Sequence, residues 1–241
     1  MTEHKKTYDG YIQALSDISS AITSELYLED ILKLIVLVTA RVTGMEICSL
    51  WIVDDSKKKP QIRLKATQSI SPEYIKDRSL EMDEGVVGHV VTHKKPVILK
   101  DINHSRRFKE KEMAKKLGLV SMASIPLISR ENKVIGVLNC FTAKPHDFSS
   151  TEINLLRAVA NQSAVAIVNT ELMVKTKVIQ EELESRKKIE QAKEILMVNR
   201  HLTGDQAYQW LRKRSMDSRK SIREVAEAVI LSTEIFNNTN G

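Results

Sequence analysis

The sequence predicts an α+β unit, an antiparallel sheet with flanking helices, which a long helix joins to an all-α unit of three helices. Two observations predict the first unit: β-rich segments with alternating polarity occur in pairs separated by turn residues, and segments with helical periodicity lie on either side of them. The second unit is predicted by three short amphipathic segments. They follow a run from Phe148 to Thr203 that contains no Pro or Gly.

The N-terminal segment has the apolar periodicity of two helices. Between Tyr8 and Thr43, apolar residues recur at intervals of three and four, first around Ile18 and again around Ile35. Gly44 follows directly, and a glycine at this position commonly ends a helix. We therefore expect residues 1–25 to form an N-terminal helix, and the next helix to end at Gly44.

Four segments have the composition and alternation of strands, and they form two predicted hairpins. The predicted strands run over 46–53 and 61–67, and then over 119–128 and 133–142. Shorter elements are expected between the hairpins: a helix that begins at Pro72, helices over 85–94 and 109–117, and a strand over 96–99. Strands joined by tight turns pair antiparallel, so we expect an antiparallel sheet.

A long helix is predicted from Ser150 to about His201. Ser149 and Glu152 have the spacing of a capping box, in which each side chain accepts a hydrogen bond from the other residue's backbone N–H. A partial heptad pattern follows, with apolar residues at Val165, Leu172, Ile179 and Leu183. Arg186 interrupts this pattern. The partial heptad pattern therefore favours a helix that packs against the same helix of a second chain in a dimer. It does not establish a coiled coil.

Three amphipathic helices are expected in the C-terminal part. The first ends near Asn199, and capping-box pairs begin the other two at Thr203 and Ser221. Their apolar faces, which include Trp210 as a predicted core residue, are suited to close one small core. A unit of this size is too small to hold a buried active site.

Basic residues are concentrated in this C-terminal part. The chain of 241 residues has a formal net charge of +6, and residues 186–223 contain eleven Lys or Arg against four Asp or Glu. A basic surplus on a small helical unit is typical of nucleic-acid binding proteins. A solvated helical surface explains such a window equally well, so the charge alone leaves both interpretations open.

Several functional classes lack support in the sequence. No nucleophile–base arrangement, phosphate-binding loop or metal cluster is evident, so we expect neither an enzyme nor a resident cofactor or metal. His89 and His93 are four apart on a predicted helix, but without a third ligand an exposed pair is the better interpretation. Cys48 and Cys140 lack the spacing of a zinc site or redox pair. No signal peptide or apolar run of about 20 residues is visible, so we expect a cytoplasmic protein without a membrane partner.

Three stretches of the first unit match a known family pattern. They are Gly85–Val90, the two strands around Pro126 and Gly136, and the helix start from Phe148 to Leu156. In these stretches the chain resembles the GAF family of sensor domains. The resemblance covers residues 26–170 and implies the α+β fold predicted above.

The GAF resemblance implies a sensor but does not identify its ligand. GAF domains bind cyclic nucleotides, tetrapyrroles, haem, small metabolites or nothing. The loop cysteines of the bilin-binding and methionine-sulfoxide reductase branches have no counterpart here. Asp101, His104 and Arg106 share a polar loop that can border the pocket in this family, and a hydrogen-bonded loop without a ligand is an equally good interpretation.

The C-terminal unit contains a second set of family-typical residues: Ala192-Lys193, Ile195–Met197, Ala207-Tyr208, Leu211-Arg212, Met216 and Val225–Val229. With these residues it resembles the ANTAR family of RNA-binding antitermination modules. Glu194 replaces a usual Gly, which should firm the helix but adds a negative charge near the expected RNA surface, and Ser215 replaces a common Ala. The resemblance assigns residues 189–241 to the module and leaves 171–188 as a helical linker, with a coiled coil as one alternative.

The resemblance implies that the module binds RNA through its first two helices and the turn after them. The predicted contacts are Lys193, Tyr208, Arg212, Arg214, Arg219 and Lys220. Tyr208 can stack on an unpaired base, and the arginines can contact phosphates or base edges. For Tyr208, a role in capping the small core is an equally good interpretation.

The two resemblances imply a signal-responsive regulator of transcription antitermination. It would bind hairpin loops in nascent leader RNA as a homodimer, and its GAF domain would sense a small-molecule ligand or control dimerisation. Two other hypotheses stay open. Three short helices with a basic face also describe DNA-binding helix-turn-helix units. A protein–protein signalling adaptor would show no salt-dependent affinity for nucleic acid.

Overall fold

The computed structural model of the protein describes residues 2–24, 26–56, 58–75 and 78–239. The chain forms two compact units, Met1–Thr170 and Glu171–Gly241. Among the described residues, no helix combines the length and the apolar character that a membrane span requires.

Two helices begin the first unit. Helix α1 spans Thr2–Ile22 and helix α2 spans Leu28–Thr43. Gly44 ends α2 in the left-handed conformation, with a φ of 67°, as the sequence predicts. Both helices contribute fully buried aliphatic side chains, Ile18 and Ile35, to one hydrophobic core.

The sheet of the first unit has six strands, and every described pair is antiparallel. The strands are β1 (Ile47–Asp54), β2 (Gln61–Thr67), β3 (Ser79–Glu81), β4 (Val97–Leu99), β5 (Ser121–Ile128) and β6 (Val134–Thr142). Their order across the sheet is β3-β2-β1-β6-β5-β4. The two predicted hairpins are confirmed as β1–β2 and β5–β6, and β1 pairs with β6 at the centre.

Strand β3 has no counterpart in the sequence prediction. It contains three residues and pairs with the start of β2, with Gln61 opposite Glu81 and Ile62 opposite Leu80. A segment this short shows too little alternation to predict a strand. It is extended because β2 offers it a pairing edge, which is a tertiary effect.

Three short helices lie between the strands along the chain: α3 (Pro72–Ile75), α4 (Gly85–His93) and α5 (Lys111–Lys116). Pro72 occupies the first position of α3, as predicted. At Gly88 of α4, a Cβ atom would lie 2.6 Å from the carbonyl carbon of Asp83. This close approach explains a glycine inside a helix, where glycine is otherwise unfavourable.

The sheet separates two hydrophobic cores. On one face, α1, α2 and the helix that follows β6 surround Leu50 and Leu138. On the other face, α3, α4 and α5 pack with Trp51, Val137 and Phe141. Because neighbouring strand residues point to opposite faces, Leu50 and Trp51 enter different cores.

Helix α6 spans Ser150–Arg200 and contributes residues to both units. The predicted capping box begins it: the Ser149 backbone N–H donates to Glu152 Oε2 at 2.8 Å, and the Glu152 backbone N–H donates to Ser149 Oγ at 3.2 Å. The heptad residues Leu172, Ile179 and Leu183 are 54%, 56% and 59% exposed. The described part of one chain therefore leaves this stripe open to solvent.

The second unit combines the last part of α6 with helix α7 (Gly204–Ser218) and helix α8 (Ile222–Thr239). Its small core draws on all three helices and contains Ala192, Leu196, Ala207, Leu211, Val225, Ala226 and Ile230. The three predicted helices and their common core are confirmed, and the predicted fold class is confirmed with them.

Candidate nucleic-acid interface

Helix α7 carries three of the six predicted RNA contacts, and local hydrogen bonds fix where it begins. Thr203 Oγ1 accepts from the Gln206 backbone N–H at 3.3 Å, and Gln206 Oε1 accepts from the Thr203 backbone N–H at 2.9 Å. This capping box satisfies two N–H groups that a helix start leaves free. Ala207 and Leu211 are fully buried in the small core, so the orientation of α7 about its own axis is set.

Tyr208 and Arg212 lie one turn apart on one exposed face of α7, which we name the Arg212 surface. Tyr208 is 39% exposed. Arg212 is exposed, and its guanidinium has no hydrogen-bond, ion-pair or aromatic partner among the residues that the structure describes. Its charge and its five N–H donors are therefore available to an external ligand.

The turn after α7 holds the predicted contacts Arg219 and Lys220, and both are exposed. Arg219 ends the helix in the left-handed conformation with a φ of 56°, at a position that usually carries glycine. The Ser215 hydroxyl donates to the carbonyl oxygen of Lys220 at 2.6 Å. This bond ties the turn to α7, so two cationic side chains are held just beyond the end of the helix.

At the start of α8, Arg223 of the basic window is paired with carboxylates. The Ser221 backbone N–H donates to Glu224 Oε2 at 2.7 Å, and this bond holds the pKa of Glu224 below its ordinary value. Arg223 pairs with Glu227 at 3.0 Å and with Glu184 at 3.5 Å, and the hydrogen bond to Glu227 raises the pKa of Arg223. Arg223 therefore adds less free positive charge than its presence in the sequence indicates.

Arg214 does not share a face with Arg212. Two residues along an α-helix correspond to a rotation of about 200°, so the two side chains leave α7 on nearly opposite sides. The guanidinium carbon of Arg214 lies 5.9 Å from the centroid of the Trp210 ring, and that of Arg200 lies 4.8 Å from it. Trp210 is half-buried and packs against the small core, as predicted, while its ring also contacts these two cations.

Lys193 lies on α6 and is paired within that helix. Its Nζ lies 2.9 and 3.0 Å from the two carboxylate oxygens of Glu190, and its side chain is 21% exposed. Lys193 and Arg200 are seven residues apart, which places them on the same side of α6. We name Arg200, Trp210 and Arg214 the Trp210 surface. Each cation in it already has a partner within the protein.

The sequence prediction missed Arg200. Its contact with Trp210 depends on the reversal of the chain between α6 and α7, where His201 has a φ of 51°. Arg200 occupies no position of the ANTAR pattern, and a basic residue at a helix end is common because it complements the helix dipole. Only the tertiary arrangement shows that it faces an aromatic ring.

The first unit contains a small cavity on the face of the sheet that carries Trp51. Its volume is about 60 Å³, and Trp51, Tyr74, Phe108, Asn139 and Phe141 are among the residues that line it. The Tyr74 hydroxyl lies 2.7 Å from the hydroxyl of a buried serine on β1, and burial raises the pKa of Tyr74 to about 12. The cavity has room for a very small ligand only.

Arg78 lies beside this aromatic cluster and was not singled out by any sequence motif. Its guanidinium carbon is 5.3 Å from the ring centroid of Trp51 and 5.1 Å from that of Tyr74. The side chain is 11% exposed, pairs with Glu110, and has its pKa lowered by burial. Its Nη1 atom is buried without a hydrogen-bond partner in the described part of the chain. Arg78 does not line the cavity itself, and its guanidinium packs against two of the aromatic rings that do.

The polar loop after β4 is hydrogen-bonded to itself. Asp101 accepts from the Asn103 backbone N–H at 2.8 Å and lies 2.7 Å from His104 Nδ1. The hydrogen bond with His104, and after it the bond from the Asn103 backbone, holds the pKa of Asp101 below its ordinary value. Asp101, His104 and Arg106 do not line the cavity. This favours a hydrogen-bonded loop without a ligand over a loop that borders the ligand pocket.

The two histidines of α4 stack on one another, with ring centroids 3.8 Å apart in the pair His89 and His93. Within the described ranges, no group of three His, Cys, Asp or Glu residues is placed to hold a metal ion.

Cys48 and Cys140 lie opposite each other in β1 and β6, with their Sγ atoms 3.5 Å apart. Burial raises the pKa of the Cys140 thiol, and both cysteines are fully buried in the core. Strand pairing, and not sequence spacing, brings the two together.

The two units define a two-part regulatory protein. A sheet with helices on both faces and a small cavity on one of them forms the first part, and a small helical unit with an exposed basic surface forms the second. Family models agree: residues 25–168 match the GAF domain, and residues 177–230 match the ANTAR domain. The chain belongs to the GAF family and carries an ANTAR domain at its C-terminal end.

Solved structures are similar to the first unit. The GAF domain of a phosphoenolpyruvate-protein phosphotransferase from Acinetobacter has 26% identity and a TM-score of 0.57, over 67% of this chain and 94% of that chain. The corresponding domain from Coxiella burnetii has 22% identity and a TM-score of 0.60, over 69% and 97%. Free methionine-R-sulfoxide reductase from Neisseria meningitidis has 18% identity and a TM-score of 0.57, over 68% and 91%. A comparison with curated proteins gives no match.

Proposed function

We propose that the protein is a transcription antitermination regulator whose ANTAR domain binds hairpin loops in nascent leader RNA. A GAF domain followed by an ANTAR domain fits a signal-sensing, RNA-binding antitermination regulator in general. Beyond this general class, the proposal specifies which RNA structure is bound and how a signal is sensed.

The observation that carries the proposal is the free, exposed guanidinium of Arg212 beside Tyr208 on α7. A guanidinium can contact two phosphate oxygens or a base edge at once, and an adjacent phenol ring can stack on a base. Arg219 and Lys220 extend the positive charge beyond the helix end. Unpaired loop bases expose edges and faces that a duplex hides, so hairpin loops suit this surface.

Binding acts by occupancy, so the proposed mechanism requires no covalent chemistry. A leader transcript that is held in one hairpin cannot contribute the same nucleotides to a terminator hairpin. Two ANTAR domains in a dimer could hold two neighbouring hairpins, and the second contact would gain from the effective concentration set by the first. Transcription would then continue past the terminator.

The proposed control operates through dimerisation. The apolar stripe of Leu172, Ile179 and Leu183 is more than half exposed on a helix that contributes to both units. A second copy of α6 could cover this stripe in a parallel pair. A GAF ligand that favours the paired state would raise the fraction of dimers, as a shift between existing populations.

The test is direct binding of the full chain to a tandem-hairpin RNA, with duplex DNA as competitor, at several salt concentrations. The proposal expects affinity for RNA that falls steeply with salt and survives an excess of duplex DNA. Preferential binding to duplex DNA would replace it with the helix-turn-helix hypothesis. Failure to bind either nucleic acid, with the folded state confirmed by circular dichroism, would favour the adaptor hypothesis.

A further inference from the structure

A second concave site lies in the first unit, at the side of the sheet formed by β4 and β5. This groove has a volume of about 400 Å³ and lies between the segment Lys94–Pro96 after α4 and the α6 residues Arg157 and Asn161. None of its lining residues lines the aromatic cavity around Trp51. The groove therefore needs its own explanation.

The rim of the groove is positively charged. Lys94, Lys95 and Arg157 line it, whereas no Asp or Glu does. Lys94 Nζ donates to the Asn132 carbonyl oxygen at 2.7 Å, which holds this side chain in place while keeping its charge. Lys95 and Arg157 are exposed and have no hydrogen-bond or ion-pair partner among the residues that the structure describes. Two free cations and one anchored cation therefore face the same concave volume.

Apart from Asn161, the rest of the groove is apolar, and its backbone has little freedom to move. Ile125, Pro126 and Ile128 of β5 line it together with Pro96. Two prolines and a paired strand restrict the movement of these walls. Ligand pockets commonly have volumes of about 300–1,000 Å³, with apolar walls and a few convergent polar groups. The groove combines this size with such walls and with cationic groups of one sign.

We propose that this groove binds a small organic phosphate, a molecule with a doubly charged phosphate group and a compact apolar or planar body. The Arg157 guanidinium and the Lys95 ammonium would bind the phosphate oxygens, and the Asn161 amide would donate a further hydrogen bond. The body of the ligand would pack on the proline and isoleucine walls. A single anionic group placed among three cations explains both the one-sided charge and the missing carboxylates.

The walls favour a small molecule over an RNA strand. An extended phosphate backbone is bound along an open track of cations, with bases stacked on aromatic side chains. The lining of this groove contains no aromatic residue, and its cations surround one volume. The inference does not depend on RNA binding by the ANTAR domain, because the groove lies wholly in the first unit.

Calorimetric titration of the full chain with adenosine 5′-monophosphate, inorganic pyrophosphate and adenosine tests the proposal. We expect the two anions to bind and adenosine to bind much more weakly. The variant Lys95→Gln plus Arg157→Gln removes two charges at exposed positions. It should weaken binding of both anions by at least about tenfold, because two charge-assisted hydrogen bonds to the phosphate are lost. Thermal melting checks that this double variant, like its control below, remains folded.

The matched control is Lys65→Gln plus Lys116→Gln, which removes two exposed charges of the same unit outside the groove. It should leave both affinities within about twofold of wild type, because screening weakens distant surface charges. Three results would overturn the proposal: neither anion binds wild type, both double variants lose affinity equally, or the groove variant loses affinity for hairpin RNA while neither anion binds. The last result would identify the groove as an RNA contact.

Discussion

The guanidinium carbon of Arg200, at the end of α6, lies 4.8 Å from the ring centroid of Trp210 in α7. This contact links two helices of the ANTAR domain across the turn at His201. It also occupies the aromatic ring that would otherwise be the best stacking platform for a base. We therefore propose that Trp210 and Arg200 contribute to stability and that the opposite side of α7 contacts RNA.

Arg200→Gln should destabilise the C-terminal unit without greatly changing RNA binding. The loss of one exposed cation–π contact is expected to lower the free energy of unfolding by about 0.5–1 kcal/mol. Chemical denaturation measures this change. Arg186→Gln, an exposed arginine of the same helix without an aromatic partner in the described residues, is the control. A loss of RNA affinity equal to that of Arg212→Gln would instead assign RNA to the Trp210 surface.

Arg219→Gly should increase stability and decrease RNA affinity in the same molecule. Arg219 has a φ of 56°, a conformation in which glycine avoids a cost of about 1–2 kcal/mol for a residue with a Cβ atom. The removed cation should reduce the slope of RNA affinity against salt by about one. His201→Gly relieves the same kind of backbone conformation, with a φ of 51°, and should leave the salt slope unchanged. Equal slopes for wild type and Arg219→Gly would remove Arg219 from the interface.

Tyr74→Phe should change how the stability of the first unit depends on pH. At neutral pH the variant loses the hydrogen bond to the Ser49 hydroxyl, at a cost of about 1 kcal/mol. The pKa of Tyr74 is raised from 10.0 to about 12, so folding favours the neutral phenol. The stabilisation that the neutral Tyr74 phenol gives to the folded state is fully present below pH 10. It is lost as the pH rises from 10 to 12.

Wild type should therefore lose stability relative to Tyr74→Phe over this alkaline range, by about 2–3 kcal/mol in total. Urea unfolding at a series of pH values measures the difference, and titrations common to both proteins cancel in it. A constant difference between the two proteins from neutral pH to pH 12 would show that Tyr74 does not titrate as its burial requires.

Leu172→Glu plus Ile179→Glu should convert a dimer to a monomer. The two positions are 54% and 56% exposed in the single chain, so the substitution should cost little folding stability. Two carboxylates on each side of a paired stripe would repel one another and lose water. Light scattering after size-exclusion chromatography measures the mass.

The matched control for the dimer prediction lies on the same helix. Val174 and Val178 are 60% and 49% exposed but lie on the other side of α6, so Val174→Glu plus Val178→Glu should preserve the dimer. A wild-type monomer at all concentrations, or equal dissociation by both pairs, would contradict pairing through the Leu172 stripe.

Local signals in the sequence predicted most of the fold. The capping boxes at Ser149, Thr203 and Ser221 and the glycine at 44 mark element ends through backbone chemistry that needs no tertiary information. Strand β3 could not be predicted because its pairing edge on β2 makes it extended.

The candidate site was predictable residue by residue but not as a surface. Arg212 and Tyr208 share a face because of helix periodicity alone, which the sequence contains. The rotation of Arg214 away from that face also follows from helix periodicity, whereas the contacts of Arg200 and Arg214 with the Trp210 ring depend on the fold. The groove at Arg157 likewise required the fold, because its walls come from three distant segments of the chain.

The central claim, that the Arg212 surface binds hairpin RNA, is tested most directly by comparing Arg212→Gln with Arg186→Gln. Fluorescence anisotropy with a labelled tandem-hairpin RNA at fixed salt gives both dissociation constants. We expect Arg212→Gln to weaken binding by about tenfold or more, since one such arginine contact contributes about 1–3 kcal/mol, and Arg186→Gln to stay within about threefold of wild type. Equal affinities for the two variants, both folded by circular dichroism, would contradict it.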